Sequence, residues 1–180
     1  MSFFQDNYQK TLSFAARVHG TQCVPGTTLP YVVHLSNVTM EVIVASAHDQ
    51  FNAELAVTCA LLHDVIEDTQ TSTAELEATF GTVVARGVEA LTKDEKLPKE
   101  GQMADSLKRI LEQPREVAIV KLADRITNLQ QPPEYWSAAK RLRYQEEARF
   151  ILNQLGHACQ FLSDRLAIKI EEYSQYINGF

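Results

Sequence analysis

The chain has 180 residues, 45% hydrophobic and 22% charged, the profile of one globular domain with a sizeable core. A net charge of −6 excludes a general attraction to nucleic acid or anionic membranes, and no apolar run approaches the roughly 20 residues a membrane span needs. The charge is uneven: residues 1–80 carry nine acids against Lys10 and Arg17 alone, so a cation site suits the first half and anion-gripping groups belong to the second.

In chain order, "MSFFQDNYQK" carries Asp6 and no basic segment, which argues against a secretory leader. Cys23, Cys59 and Cys159 are odd in number and form no CxxC pair, which points to the reducing cytoplasm and to small apolar packing roles. Phe4, Tyr8, Leu12 and Ala15 recur at helical spacing in a first helix ending near His19–Gly20, and "GTQCVPGTTLP" reads as a loop. Leu35, Val38, Val42 and Ala45 form a helical stripe. Val38, Met40, Val42 and Val44 also alternate as in a strand, but the length of the segment without a hairpin signal favours helix. Residues 53–68 are expected as one continuous third helix. Ser72 followed by Glu75 is a capping-box start, Gly81 a stop, and "TVVARGVEALT" a further short helix. "KDEKLPKEGQ", broken by Pro98 and Gly101, reads as a loop. Helices are expected over 103–112 and 115–129, then a break at "QQPPEYW", where Tyr135 and Trp136 anchor a turn. Ile151, Leu155, Ala158, Leu162, Leu166, Ile170, Tyr173 and Ile177 repeat at helical intervals in C-terminal helices over about 137–178, unbroken or divided near Gly156. The expected architecture is an all-α, single-domain bundle over 1–180, its motif-bearing part at about 15–130.

"CALLHDVIEDTQT", residues 59–71, sets His63, Asp64, Glu67 and Asp68 among Ala60, Leu61, Leu62, Val65 and Ile66. Ionised carboxylates in apolar surroundings are costly unless something positive pairs with them. On one helix, residues four apart share a face, so His63 stacks with Glu67 and Asp64 with Asp68, all within a sector of roughly 140°. A divalent cation explains the cluster, because imidazole and carboxylate are standard ligands and the ion neutralises the charge. Two ligands leave a site incomplete; His34 in "PYVVHL" and Asp124 in "VKLADRITNL" are candidates to complete it. In the second run Lys121, Asp124, Arg125 and Asn128 share a face beside buried aliphatics, which looks like a site and not simply a solvated surface.

His34, then His63-Asp64, then Asp124 is the H…HD…D pattern of the HD-domain metal-dependent phosphohydrolases. More narrowly, "ALLHDVIEDT", "FG" at 80–81, "LTKDEK" and "KLADRITNL" resemble the hydrolase domain of the RelA/SpoT family and the small alarmone hydrolases, over about Ala15 to Asn128. Those proteins remove pyrophosphate from the 3′ position of guanosine tetra- and pentaphosphate using manganese. The resemblance implies an HD-type helical fold, His34, His63, Asp64 and Asp124 as metal ligands, and Glu67 and Asp68 as the acids that orient and activate water. Asn128 matches a family asparagine lining the nucleotide site, and Tyr31 the family's loop tyrosine. Phosphoryl transfer also needs positioning cations, for which Arg17, Lys93, Lys96, Lys99, Lys121 and Arg125 are the candidates.

The chain departs from the family in its first loop. Gln22, Pro30, Tyr31 and His34 align, but Val24 stands near the family arginine that stacks on guanine and Pro25 near a lysine, and the loop is one residue longer. Thr127 stands where the family commonly has histidine. No additional histidine flanks the His63-Asp64 segment, so one divalent ion, manganese by the resemblance, is expected. The expected partner is a small phosphorylated nucleotide, with no nucleic acid and no membrane. Guanosine 3′,5′-bis(diphosphate) is the first substrate, with another nucleotide or phosphomonoester such as NADPH as the alternative. A catalytically silent nucleotide-binding module is a third reading, and the presence of both Glu67 and Asp68 speaks against it.

Overall fold

A computed structural model describes residues 4–178. Its centre is a helix whose residues from Glu116 to Ile126 are all buried, so it has no solvent face over that span. This helix is α8 (Arg115–Asn128); α1 (Phe4–His19), α2 (Val32–Ala45) and α3 (Ala53–Leu62) build one side. The short α4 (Val65–Asp68), α5 (Thr73–Phe80), α6 (Thr82–Leu91) and α7 (Lys99–Leu111) follow, and α9 (Ala138–Leu155), α10 (Gln160–Tyr173) and α11 (Gln175–Asn178) close the other side. Helix α8 packs against α2, α3, α6, α7, α9 and α10. A helix enclosed on all sides must be apolar throughout or hold its polar groups in pairs. Here Lys121, Asp124 and Arg125 are the buried polar groups of α8 beside Glu116 at its start, and each has a partner.

The ambiguous stripe of α2 resolves as helix for a geometric reason. Residues two apart lie on nearly opposite sides of a helix. Val38 and Val42 are buried while Met40 and Val44 are exposed, so the alternating pattern splits between core and surface. Glu41 on the same helix is 4% exposed and accepts two hydrogen bonds from Arg165 of α10, fastening the first and last parts of the chain together. Ser72 accepts from the Glu75 amide at the start of α5, and Gly81 ends it at φ 87°, a conformation that suits glycine.

Two expectations need correction. The third helix is not continuous over 53–68: it ends at Leu62, and Asp64 adopts φ −105°, ψ 0° before α4 begins. The segment 93–102 is not a loop throughout, because α7 starts at Lys99. Pro98 precedes its first turn, where a missing N–H costs no helical hydrogen bond, so proline opens the helix instead of breaking it. The C-terminal stripe divides at a 3-10 turn over Gly156–Ala158. Ile151, Leu155, Ala158, Leu162, Leu166, Ile170 and Tyr173 are all buried across that turn. A Cβ at Gly156 would come within 2.8 Å of the Ser163 hydroxyl, so the tight approach uses glycine's missing side chain. No helix among the described residues is long and apolar enough to cross a membrane.

Burial separates the three free thiols: Cys23 is exposed, whereas Cys59 and Cys159 are buried and burial pushes the Cys59 thiol up to about 12. A thiol-exchange reagent at neutral pH is therefore expected to modify Cys23 alone in the native protein, with Cys59 and Cys159 reacting only after denaturant is added; mass spectrometry of the labelled peptides reads this directly.

Candidate metal centre

The break after Leu62 builds the site. On a regular helix His63 and Asp64 would diverge by about 100° and could not face one point. With the helix interrupted, Asp64 Oδ2 comes within 2.8 Å of His63 Nε2. His34, in the first turn of α2, brings its Nε2 3.3 Å from His63 Nε2 and 3.7 Å from Asp64 Oδ2. Asp124 arrives from α8, its Oδ1 lying 3.5 Å from His34 Nε2 and 3.7 Å from His63 Nε2. His34, His63 and Asp124 are all buried and have donor atoms within 4.8 Å of one another.

His63, Asp64 and Asp124 are each held by a partner behind them. His63 Nδ1 lies 2.8 Å from the Ala60 carbonyl, which accepts only, so Nδ1 carries a proton and Nε2 is the ring nitrogen that can take a cation in place of its own proton. Tyr31 donates its hydroxyl to Asp64 Oδ2, while Lys121 Nζ, 3.1 Å away, and the Asn128 amide hold the two oxygens of Asp124. Burial opposes ionisation of Asp124, but Lys121 and the two histidines hold its carboxyl well below the usual range. Burial likewise opposes charge on His63, yet the Asp64 and Asp124 carboxylates lift its pKa well above the ordinary histidine value.

The residues present fit a divalent cation. Ligands of one ion with bonds of about 2.1 Å stand about 3.0–3.4 Å apart for right-angle to tetrahedral geometry, and the His34–His63 and His34–Asp124 separations fall in or next to that range. The donor set mixes imidazole nitrogen and carboxylate oxygen, and the outer partners orient it.

Glu67 and Asp68 sit beside this cluster. Glu67 accepts from the Lys93 amide at 3.1 Å and faces Lys93 Nζ at 3.3 Å. Asp68 accepts from Gln22 at 2.8 Å; Gln22 in turn meets His19 Nδ1, and the His19 ring stacks on Tyr31 at 4.8 Å. Burial and the neighbouring Asp64 and Glu67 charges raise the pKa of Asp68 against the Gln22 hydrogen bond, which makes it a stronger base than an exposed carboxylate. The part played by His19 was not legible in the sequence, because its only signal is a contact made through loop closure.

The candidate substrate contacts divide. Tyr31 touches the Asp64 carboxylate, Lys121 and Asn128 that of Asp124, and Lys93 touches Glu67. Arg125 does not join them: it is 4% exposed, pairs with Glu147 and stacks over Tyr144 at 4.3 Å, tying α8 to α9. A cleft of about 480 Å³ adjoins the cluster and shares His34 and Asn128 with it. Val24, Pro25 and Thr127, the three positions where the chain departs from the alarmone hydrolases, all line this cleft.

A family profile described as "HD domain" matches residues 11–159. The chain belongs to the HD-domain family. Among its relatives, the guanosine-3′,5′-bis(diphosphate) 3′-pyrophosphohydrolase MESH1 of Danio rerio is 34% identical over 164 residues, 87% of this chain and 88% of that protein. The guanosine-3′,5′-bis(diphosphate) 3′-pyrophosphohydrolase of Aquifex aeolicus is 30% identical over 84% of this chain, which spans 21% of that longer protein. A solved structure described as a metazoan ortholog of SpoT that hydrolyzes ppGpp superposes with a TM-score of 0.83, covering 96% of this chain and 98% of that one at 26% identity. The HD-domain assignment and the buried His34–His63–Asp124 group point to the same part of the fold.

Purified protein is expected to hold about one divalent ion per chain by elemental analysis, lost in His63→Ala. Because the neighbouring carboxylates favour a proton on His63, metal uptake must displace that proton. Metal affinity should therefore fall as pH is lowered, with proton release on binding measurable by calorimetry in buffers of different ionisation enthalpy.

Proposed function

We propose that this chain is a metal-dependent phosphohydrolase that removes pyrophosphate from the 3′ position of guanosine 3′,5′-bis(diphosphate), with manganese as its ion. The observation that carries the reading is the convergence of His34, His63, Asp64 and Asp124 beside Glu67 and Asp68, next to a cleft of about 480 Å³ that His34 also lines. The near full-length match to a relative named for that activity supports the substrate.

His34, His63, Asp64 and Asp124 hold the ion, which when bound lowers the pKa of a coordinated water and polarises a phosphoryl oxygen. Glu67 and Asp68 orient the attacking water and take its proton, Asp68 being helped by its raised basicity. Lys93 positions Glu67 and offers an ammonium to a phosphate oxygen beside it. Lys121 and Asn128 serve by fixing Asp124. The 3′ oxygen leaves as the water oxygen bonds to phosphorus, giving pyrophosphate and guanosine 5′-diphosphate. Residues 1–180 act as one domain in this reading, in the cytoplasm, a location that the free cysteines support.

The apolar Val24 and Pro25 at the cleft favour a second reading, in which the same chemistry acts on another nucleotide or phosphomonoester such as NADPH. A substrate panel with manganese separates the two. Wild type is expected to release pyrophosphate from guanosine 3′,5′-bis(diphosphate), and Glu67→Ala to lose about 10²–10⁴-fold in kcat while keeping its metal. Survival of that nucleotide while another compound is cleaved would transfer the function to the second reading; a metal-loaded protein that cleaves nothing would end both.

A further inference from the structure

The two acids beside the metal centre are held in different ways. Glu67 meets both the amide and the ammonium of Lys93. Asp68 ends the four-residue α4, and among the described residues its carboxylate takes its hydrogen bond from Gln22. That bond has support of its own: Gln22 donates from Nε2, while its Oε1 lies 2.8 Å from His19 Nδ1.

The polarity of this line is forced. An ionised carboxylate only accepts, so the Gln22 amide must turn its nitrogen to Asp68 and its oxygen to His19. An amide oxygen also only accepts, so the proton of His19 belongs on Nδ1. The other ring nitrogen, Nε2, is buried without a partner, and a proton there would go unsatisfied. Without the imidazole nothing sets which end of the Gln22 amide faces Asp68, and a turned amide would place oxygen against oxygen.

The backbone builds the line in advance. Helix α1 ends at His19, Gly20 takes φ 53°, and the Gln22 amide returns to the His19 carbonyl at 2.9 Å, which brings Gln22 back to the ring. The Tyr31 amide then donates to the Gln22 carbonyl at 2.9 Å. His19 is 6% exposed, and its ring stacks on Tyr31, whose hydroxyl holds Asp64. One imidazole therefore stands behind both Asp64 and Asp68, through an intermediary in each case.

We propose that His19 is a positioning residue of this enzyme: its Nδ1–H fixes the Gln22 amide, which in turn holds Asp68 where it meets the attacking water. The proposal rests on the phosphohydrolase reading above, which makes Asp68 one of the water-activating acids.

The test combines His19→Phe and Gln22→Leu in the full-length protein. Steady-state kinetics are measured on guanosine 3′,5′-bis(diphosphate), and the ring tautomer of His19 is read by nitrogen NMR. Each single variant is expected to lose about tenfold in kcat, with KM within about twofold of wild type and metal content unchanged. The double variant should be no slower than Gln22→Leu, because His19 acts through Gln22. His19→Asn, which keeps an N–H donor toward Gln22, should recover most of the loss. Losses that multiply in the double variant indicate separate packing roles and overturn the proposal, as does a wild-type His19 protonated on Nε2 alone. Single variants with wild-type kcat overturn it too, and leave the phosphohydrolase reading standing. If wild type cleaves no nucleotide, that reading fails by itself, and the tautomer decides whether His19 holds Asp68: Nδ1–H in wild type, lost in Gln22→Leu, sustains the hold.

Discussion

The burial of Asp124 is the constraint on which the rest of the structure turns. A carboxylate in the middle of α8, a helix enclosed by six others, would be untenable without positive charge around it. Lys121 supplies part of that charge from the same helix, and His34 and His63 bring nitrogen donors from α2 and α3. The two histidine contacts fix α2 and the end of α3 against α8, so site and packing share these interactions. In the proposed function a divalent cation held by His34, His63, Asp64 and Asp124 would complete the neutralisation and couple metal binding to the stability of the fold.

Around that centre the molecule separates two tasks. The candidate ligands sit on helix ends and on the central helix, where backbone and packing hold them rigidly. Glu67 and Asp68 lie on the short α4 and Lys93 at the start of the loop after α6, and they are steadied by hydrogen bonds between segments distant in sequence. The chain running through Asp68, Gln22, His19, Tyr31 and Asp64 links the two sets, so the loop at 20–30 is joined to the metal centre through Tyr31 as well as lining the cleft.

Much of this was legible in the order of residues. Helical periodicity located α1, α2, α8 and the C-terminal helices because one apolar face must turn inward every 3.6 residues. The HD and KLAD segments were visible because polar residues in apolar runs are costly and so demand an explanation. The continuous third helix was a misreading of the same rule: periodicity is insensitive to a two-residue interruption, and Asp64 adopts its ψ of 0° to meet His63 and Tyr31, neither of which is evident from local propensity. Arg125 shared a face with Asp124 on paper, but a 100° step was enough to send it to Glu147 and Tyr144 instead of the site.

By itself, the sequence determined the helical class, the four candidate ligands and the acids beside them, since these follow from local spacing and from the cost of burying charge. Only the tertiary structure decided which cations stay at the site, how His63 and Asp64 come to face one point, and what forms the adjoining cleft. Thr127 and Tyr173 are 46 positions apart in the chain and belong to helices that read as ordinary amphipathic core. Both come to line one cleft only because α10 folds back onto α8 after the turn at Gly156, a long-range contact that periodicity cannot encode.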